Sequence, residues 1–311
     1  MHRIDGAGAT VDNKFTDGDP VGGIQATLVT DDWLNDVQEE LMSILAAGAV
    51  TPVKGTQNQV LRAIRSLSAG VVGSTVNLKM TVATATASAL VTADEIIVGA
   101  ALGSQVYRVA SYSKSINLAT TGAGGMDTGA APVNGWVALY AIFNPTSGVS
   151  SILAVNSPNA LMPTVYGGAN MPAGYTASAL LTVVPTNAIG QFKPVSVKGR
   201  DVFTNLVTLY SGSASVANNP IAIAGAVPGN AVSIFGEMSA GSSGVSSLSL
   251  TIFPDASQVG QQNLTFVAAA GQAMTVNYAN LPLTIAQQIM FTSQSTAGTP
   301  TYNIYSSGYR L

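Results

Sequence analysis

The sequence predicts a mostly β protein, in which a short N-terminal arm with two helices precedes antiparallel β-sandwich-like domains. Three observations lead there. Apolar and polar residues alternate at period two, as in Leu248, Leu250 and Ile252 with Ser249 and Thr251 between them, the pattern of half-buried strands. Turn-forming clusters recur roughly every ten residues, as in sandwiches and barrels; Thr121–Gly125, Asn144–Gly148, Gly167–Asn170, Asn218–Pro220 and Pro228–Asn230 are examples. Charge is uneven: residues 1–70 hold nine acidic and five basic side chains, and residues 71–311 only six and seven.

Taken in order, Met1–Thr27 is rich in Gly and Asp without periodicity and reads as an extended arm. Trp33, Leu34, Val37, Leu41, Ile44 and Leu45 then recur at helical spacing, opposite Asp36, Glu39 and Glu40, which predicts an amphipathic helix. Thr30, Asp31 and Asp32 supply its N-cap and favourable negative charge, and Gly48 and Pro52 its stop. A second helix is predicted over 56–68, with Val60, Leu61, Ile64 and Leu67 on one side and Arg62 and Arg65 exposed. Helices this short are marginal in water, so the pair must pack against a partner chain or a docking surface. From Gly70 the period changes to two: Val76, Leu78, Met80 and Val82 alternate with polar residues, as do Met274, Val276 and Tyr278. Trp136–Phe143 is apolar on both faces and suits a strand covered on both sides. The expected divisions are an attachment segment over 1–72, a β domain over 73–198, and a second over 199–311, which starts at the basic cluster Lys198-Gly199-Arg200 and offers a receptor-binding tip.

The composition narrows the function. Charged residues make up 9% of the 311 and the net charge is −3, against about 25% charged in an ordinary domain. No basic field is available for phosphates, which speaks against nucleic acid and anionic membranes. The chain has no Cys, which removes disulfides, thiolate chemistry and Cys-ligated zinc and leaves oligomerisation as the expected source of robustness. The hydrophobic fraction is 47%, yet no run reaches the ~18 apolar residues of a spanning helix, so membrane insertion is not expected. Met1–Thr10 lacks the apolar stretch of a secretory leader, so synthesis in a cytoplasm is expected. A body this poor in charge should bury surface against copies of itself, with hydroxyls and amides solvating its exposed end.

Chemistry finds little purchase. The one histidine, His2, lies in the arm, so a Ser–His–Asp triad or a His-rich metal site is not expected in the body. Neither catalytic residue, metal nor cofactor is assigned. A glycosidase needs only two carboxyl groups, and the body offers Asp94, Glu95, Asp127, Asp201, Glu237 and Asp255, none in a telling pair. Gly6-Ala-Gly and Gly122-Ala-Gly-Gly lack the strand, helix and Lys of a phosphate cradle, and Asp17-Gly18-Asp19 lacks the spacing and closing Glu of a calcium loop. Aromatic faces remain. Tyr302, Tyr305 and Tyr309 near the C-terminus are candidate glycan contacts, or else core and interface packing. The loop Tyr166–Tyr175 is an exposed connection able to bind.

Met1-His-Arg-Ile-Asp5, Phe15-Thr-Asp-Gly-Asp-Pro20, Asp32-Trp-Leu-Asn-Asp-Val-Gln-Glu-Glu-Leu41 and Gln59-Val-Leu-Arg-Ala-Ile64 together resemble the start of tail fibre proteins of tailed bacteriophages and prophages. Ile116–Trp136, Tyr166–Tyr175 and the closing Thr301–Tyr309 are similar to later segments of the same fibres. The resemblance implies a homotrimer in the virion, anchored through its N-terminal part to tail-tip or baseplate proteins, with β domains projecting toward a host glycan or lipopolysaccharide. It implies that Trp33, Leu34, Val37, Leu41 and Ile44 face the attachment or trimer contact, with Val60, Leu61 and Ile64 beside them. The alternatives are a small intramolecular core for these side chains and, for the whole chain, a polysaccharide depolymerase or a purely architectural baseplate component.

Overall fold

The computed structural model describes residues 2–67 and 70–311. The chain divides into two compact units, residues 1–70 with 105–107, and residues 71–104 with 108–311.

The first unit holds both helices. α1 (Asp31–Ala47) starts where Thr30 Oγ1 accepts the Trp33 N–H at 3.4 Å, with Asp31 and Asp32 in the positive first turn. It stops at Gly48, whose N–H donates to the Ile44 carbonyl at 3.0 Å. α2 (Gln59–Leu67) begins later than the apolar spacing alone predicts. The Gln59 side chain accepts from Val53 N–H at 2.6 Å and donates to the carbonyls of Val53 and Thr56, so residues 53–56 are committed to a turn. Leu45, Val50 and Ala63 form the core between the helices, with Ile44 and Val60 packed against it. Gly48 permits the close approach: a Cβ there would sit 2.6 Å from Ala63 Cα. Gly48→Val is therefore expected to destabilise this unit by about 1–3 kcal/mol, read as an early loss of helical circular dichroism on heating while the β signal persists.

The expected extended arm is instead folded back on itself. Leu28 N–H donates to Ala7 O at 2.8 Å, Thr27 N–H to Thr16 O at 2.9 Å, and the Thr27 hydroxyl to Gly8 O at 3.0 Å. Ile4 is 1% exposed. A Gly-rich segment held by backbone hydrogen bonds leaves no periodic trace in sequence.

The second unit is built on antiparallel sheets. In chain order the strands are β1 (Thr75–Val76), β2 (Lys79–Val82), β3 (Ser88–Gly99), β4 (Val106–Asn117), β5 (Trp136–Phe143), β6 (Ser150–Ser157), β7 (Ala177–Pro185) and β8 (Val195–Lys198). They continue with β9 (Asp201–Gly212), β10 (Val216–Ala222), β11 (Ser233–Ser242), β12 (Ser246–Phe253), β13 (Gln262–Ala268), β14 (Ala273–Pro282), β15 (Gln288–Ser295) and β16 (Pro300–Arg310). One sheet runs β14-β11-β16-β9-β8-β2-β3-β7-β5-β6, with β1 and β4 also paired to β3; the other runs β10-β15-β12-β13.

β5 lies between β6 and β7 and is buried on both faces, as its unbroken apolar run requires. β7 is buried throughout. Leu248, Leu250 and Ile252 form a fully buried row, as their alternation predicts. Phe291 of β15 packs its ring on Tyr210 of β9, centroids 4.3 Å apart, and so joins the smaller sheet to the larger.

Three places differ from expectation. β8 and β9 pair from Lys198↔Asp201 onward with Gly199 and Arg200 as the turn, so the division placed at 198/199 falls on a hairpin inside a continuous sheet. Asn218-Asn219-Pro220 lies within β10, not in a turn; a register shift between Val216 and Asn219, with Asn218 at φ 50°, absorbs the turn-forming residues. β10 is an edge strand, where Pro is tolerated. Finally, Val76 is exposed while Leu78, Met80 and Val82 are buried, because Asn77 at φ 54° kinks the chain between β1 and β2.

Candidate functional site

Two surfaces emerge, one in each unit. On the helices, Leu34, Leu41, Leu61 and Ile64 remain 54%, 43%, 48% and 50% exposed, where a solvent-facing helix pair would carry polar groups. The other four predicted contact residues are partly used within the unit. Ile44 and Val60 flank the Leu45–Ala63 core, Trp33 meets Phe15 edge to face at 5.1 Å, and Val37 is half-buried. Met42 and Leu67 are exposed as well and were missed as contact candidates. The signal for Leu67 was present, since helical spacing sets it on the same side of α2 as Ile64.

The arm is latched to α1. His2 Nδ1 lies 2.6 Å from Asp36 Oδ2, and Nε2 lies 3.6 Å from Asp5 Oδ1. The hydrogen bond to Asp36 raises the His2 pKa above its ordinary 6.5 and lowers Asp36 below its ordinary 3.8. The cationic imidazole is thus favoured by the folded unit. The latch is complete below the unfolded His value, is lost as pH rises through the raised one, and on the acid side persists until pH falls through the lowered Asp36 value. His2 is the only histidine, so its ring resonances report alone. NMR titration is expected to place its midpoint above 6.5, and Asp36→Asn to bring it back toward that value.

The second surface is the outer face of β14, β11, β16 and β9. Register sets its side chains in transverse rows. Thr275, Ser239, Asn303 and Ser211 form one; Asn277, Glu237, Tyr305 and Thr208 form the next. In the first row the Ser211 hydroxyl donates to Asn303 Oδ1 at 2.8 Å and Asn303 Nδ2 donates to Ser239 Oγ at 3.3 Å. A groove of about 500 Å³ is lined by Ser239 and Asn303 of this row and by residues at the adjoining ends of β11, β14 and β16, among them Ser242, Gln272 and Thr301. A second, of about 330 Å³, lies over Glu237, Asn277 and Phe235. Beyond it the rings of Phe203 and Phe235 pack at 5.2 Å. Gly308 sits between these residues in register, and a Cβ on it would be 2.5 Å from the Phe235 ring; only glycine leaves room.

The three candidate glycan tyrosines separate. Tyr302 and Tyr309 are 0% exposed, which removes their ring faces from any ligand and assigns them to packing. Tyr305 is half-buried in the row of Glu237. Past the register shift between Ser306 and Gly308, Tyr309 enters the core against Trp136, rings edge to face at 5.7 Å. The Tyr166–Tyr175 loop is anchored rather than free: the Tyr166 hydroxyl donates to Asp127 at 2.9 Å and accepts from Asn170 N–H at 3.2 Å. Burial first, then the Asp127 carboxylate, push its pKa up to about 12. Among the other candidate carboxylates, Asp94 accepts from Asn77, Asp255 from Ser257 and Thr284, and Asp201 faces Arg310 at 3.5 Å. Glu237 is the one that lines a groove of this face.

No known protein-family profile matches the chain. Over 73 residues it is 41% identical to "Uncharacterized protein StfP" of Escherichia coli strain K12, a stretch covering 22% of this chain and 35% of that protein. The chain thus spans about a third of the length of this relative.

Proposed function

We propose that the chain is a non-enzymatic structural and adhesive virion protein, a tail fibre of a bacteriophage or prophage assembled as a homotrimer. Its helical unit attaches to the tail tip or baseplate and supplies contacts between copies. Its β body, sandwich-like where the two sheets meet, carries adhesion to a host surface glycan or lipopolysaccharide. The observation that carries this reading is the row of half-exposed leucine and isoleucine side chains on two helices too short to be stable alone, followed by a β body with thirteen charged side chains over residues 71–311. Apolar helix faces of that kind are contact surfaces. Adhesion then needs no strong single site, since linked copies raise avidity by roughly 10²–10⁴. The non-enzymatic reading is supported by the carboxylates: Glu237 lines its groove with no second carboxylate beside it, and Asp127, away from the grooves, is engaged by Tyr166.

The test is adsorption. Purified full-length chain is expected to compete with phage particles for host cells, and labelled antibody to mark an external fibre. Absence of competition together with labelling inside the baseplate would replace this reading with the architectural one. Release of oligosaccharides from host polysaccharide, abolished by Glu237→Gln, would replace it with a depolymerase.

A further inference from the structure

We infer that the outer face of β14, β11, β16 and β9 is a binding groove for an uncharged oligosaccharide, an assignment that rests on the adhesion reading and adds its site and ligand class. The groove of about 500 Å³ falls within the roughly 300–1,000 Å³ typical of ligand sites. Ser239 and Asn303 line it, joined by a hydrogen bond to each other, and Ser211 holds Asn303 from the neighbouring strand outside the groove. The lining pair has capacity to spare. Asn303 retains one N–H and one Oδ1 lone pair, and the Ser239 hydroxyl proton is free to donate. Donors and acceptors spaced at the ~4.8 Å separation of neighbouring strands match the alternating hydroxyls of a sugar chain, and being already tied to one another they need little ordering on binding.

Charge selects the ligand class. None of the residues lining either groove is Lys, Arg or His, and the one carboxylate is Glu237. Sulfated, phosphorylated or uronic acid polymers would lose hydration there without gaining a cation, so a neutral glycan fits and an acidic one does not. The exposed Phe203 and its neighbour Phe235 offer the apolar contact that the C–H face of a pyranose needs beside its polar edge. The first groove is lined by Ser, Thr, Asn, Gln, Gly and Ala alone, small and hydrogen-bonding residues suited to sugar hydroxyls, and the second adds Leu206, Phe235 and Tyr278 as apolar surface.

The full-length protein is tested on an array of neutral and acidic bacterial polysaccharides, with whole-cell adhesion measured in parallel. Binding to at least one neutral glycan, unchanged at high salt, is expected. Asn303→Leu and the rim variant Gln272→Ala are each expected to weaken it by about tenfold, one lost hydrogen bond to the ligand each, Gln272→Ala without moving the thermal midpoint. Gln272 lies in an exposed loop, so its variant tests the groove even if Asn303→Leu unfolds. Binding only to acidic glycans, neutral binding indifferent to both variants, or variants that change the mass of the assembly would overturn the assignment. Cell adhesion without neutral-glycan binding would sink the groove and leave adhesion standing, whereas loss of both would remove the adhesion reading itself.

Discussion

Tyr309→Ala is expected to lower the stability of the second unit by about 3–5 kcal/mol, the range for deleting a large buried ring. The side chain is 0% exposed, packs edge to face on Trp136, and donates from its hydroxyl to the Val183 carbonyl at 2.6 Å. Burial raises the pKa of that hydroxyl well above the ordinary tyrosine value, which favours its protonated, donating form. One residue near the chain end thereby ties β16 to β5 and β7. Alanine leaves a cavity and an unpaired carbonyl together. Tyr309→Phe isolates the second effect, expected to cost about 1–3 kcal/mol. Urea unfolding followed by the fluorescence of Trp136, in a Trp33→Phe background, measures both. A loss below about 1 kcal/mol for the alanine variant, well under the range for such a deletion, would mean that the C-terminal strand is not fastened this way.

The second large effect is on assembly. Replacing Leu34, Leu41, Leu61 and Ile64 together by serine is expected to turn the proposed trimer into single chains while leaving the helices folded. The four side chains are 43–54% exposed and are not part of the Leu45, Val50 and Ala63 core, so that core is left in place. Fully burying one such side chain contributes about 1.5–3 kcal/mol; finishing the burial of four half-exposed ones, on each of three chains, is enough to decide association. Light scattering reads the mass, and circular dichroism confirms the helices. An unchanged mass would place the contact elsewhere.

How much of this is legible in sequence follows from the range of each interaction. α1 is readable to its cap because Thr30, Asp31 and Asp32 act on the adjacent turn. β5 is readable because an apolar run of eight residues needs cover on both faces. β7 has the same character, yet a Tyr–Gly loop before it and Thr182 within it disguise the run. The late start of α2 depends on a Gln59 side chain reaching back to Val53, which spacing alone does not encode. The folded arm, the Gly48–Ala63 contact and the Tyr309–Trp136 pair all join residues without periodic relation.

The groove is hidden for a related reason. In the C-terminal segment Tyr302, Tyr305 and Tyr309 draw the eye, while Asn303 between them becomes meaningful only when register sets it between Ser211 and Ser239. Alternation carries part of the answer, since Thr301, Asn303 and Tyr305 share a parity opposite to buried Tyr302 and Ile304. Parity says which residues face outward together. It does not say which strands stand beside them.

The most direct measurement is the solution mass of the 311-residue chain at micromolar concentration by sedimentation velocity. Three chains of 31.5 kDa moving as one particle is the expected result. A stable, folded species of a single chain, with its helix leucines still open to solvent, would contradict it.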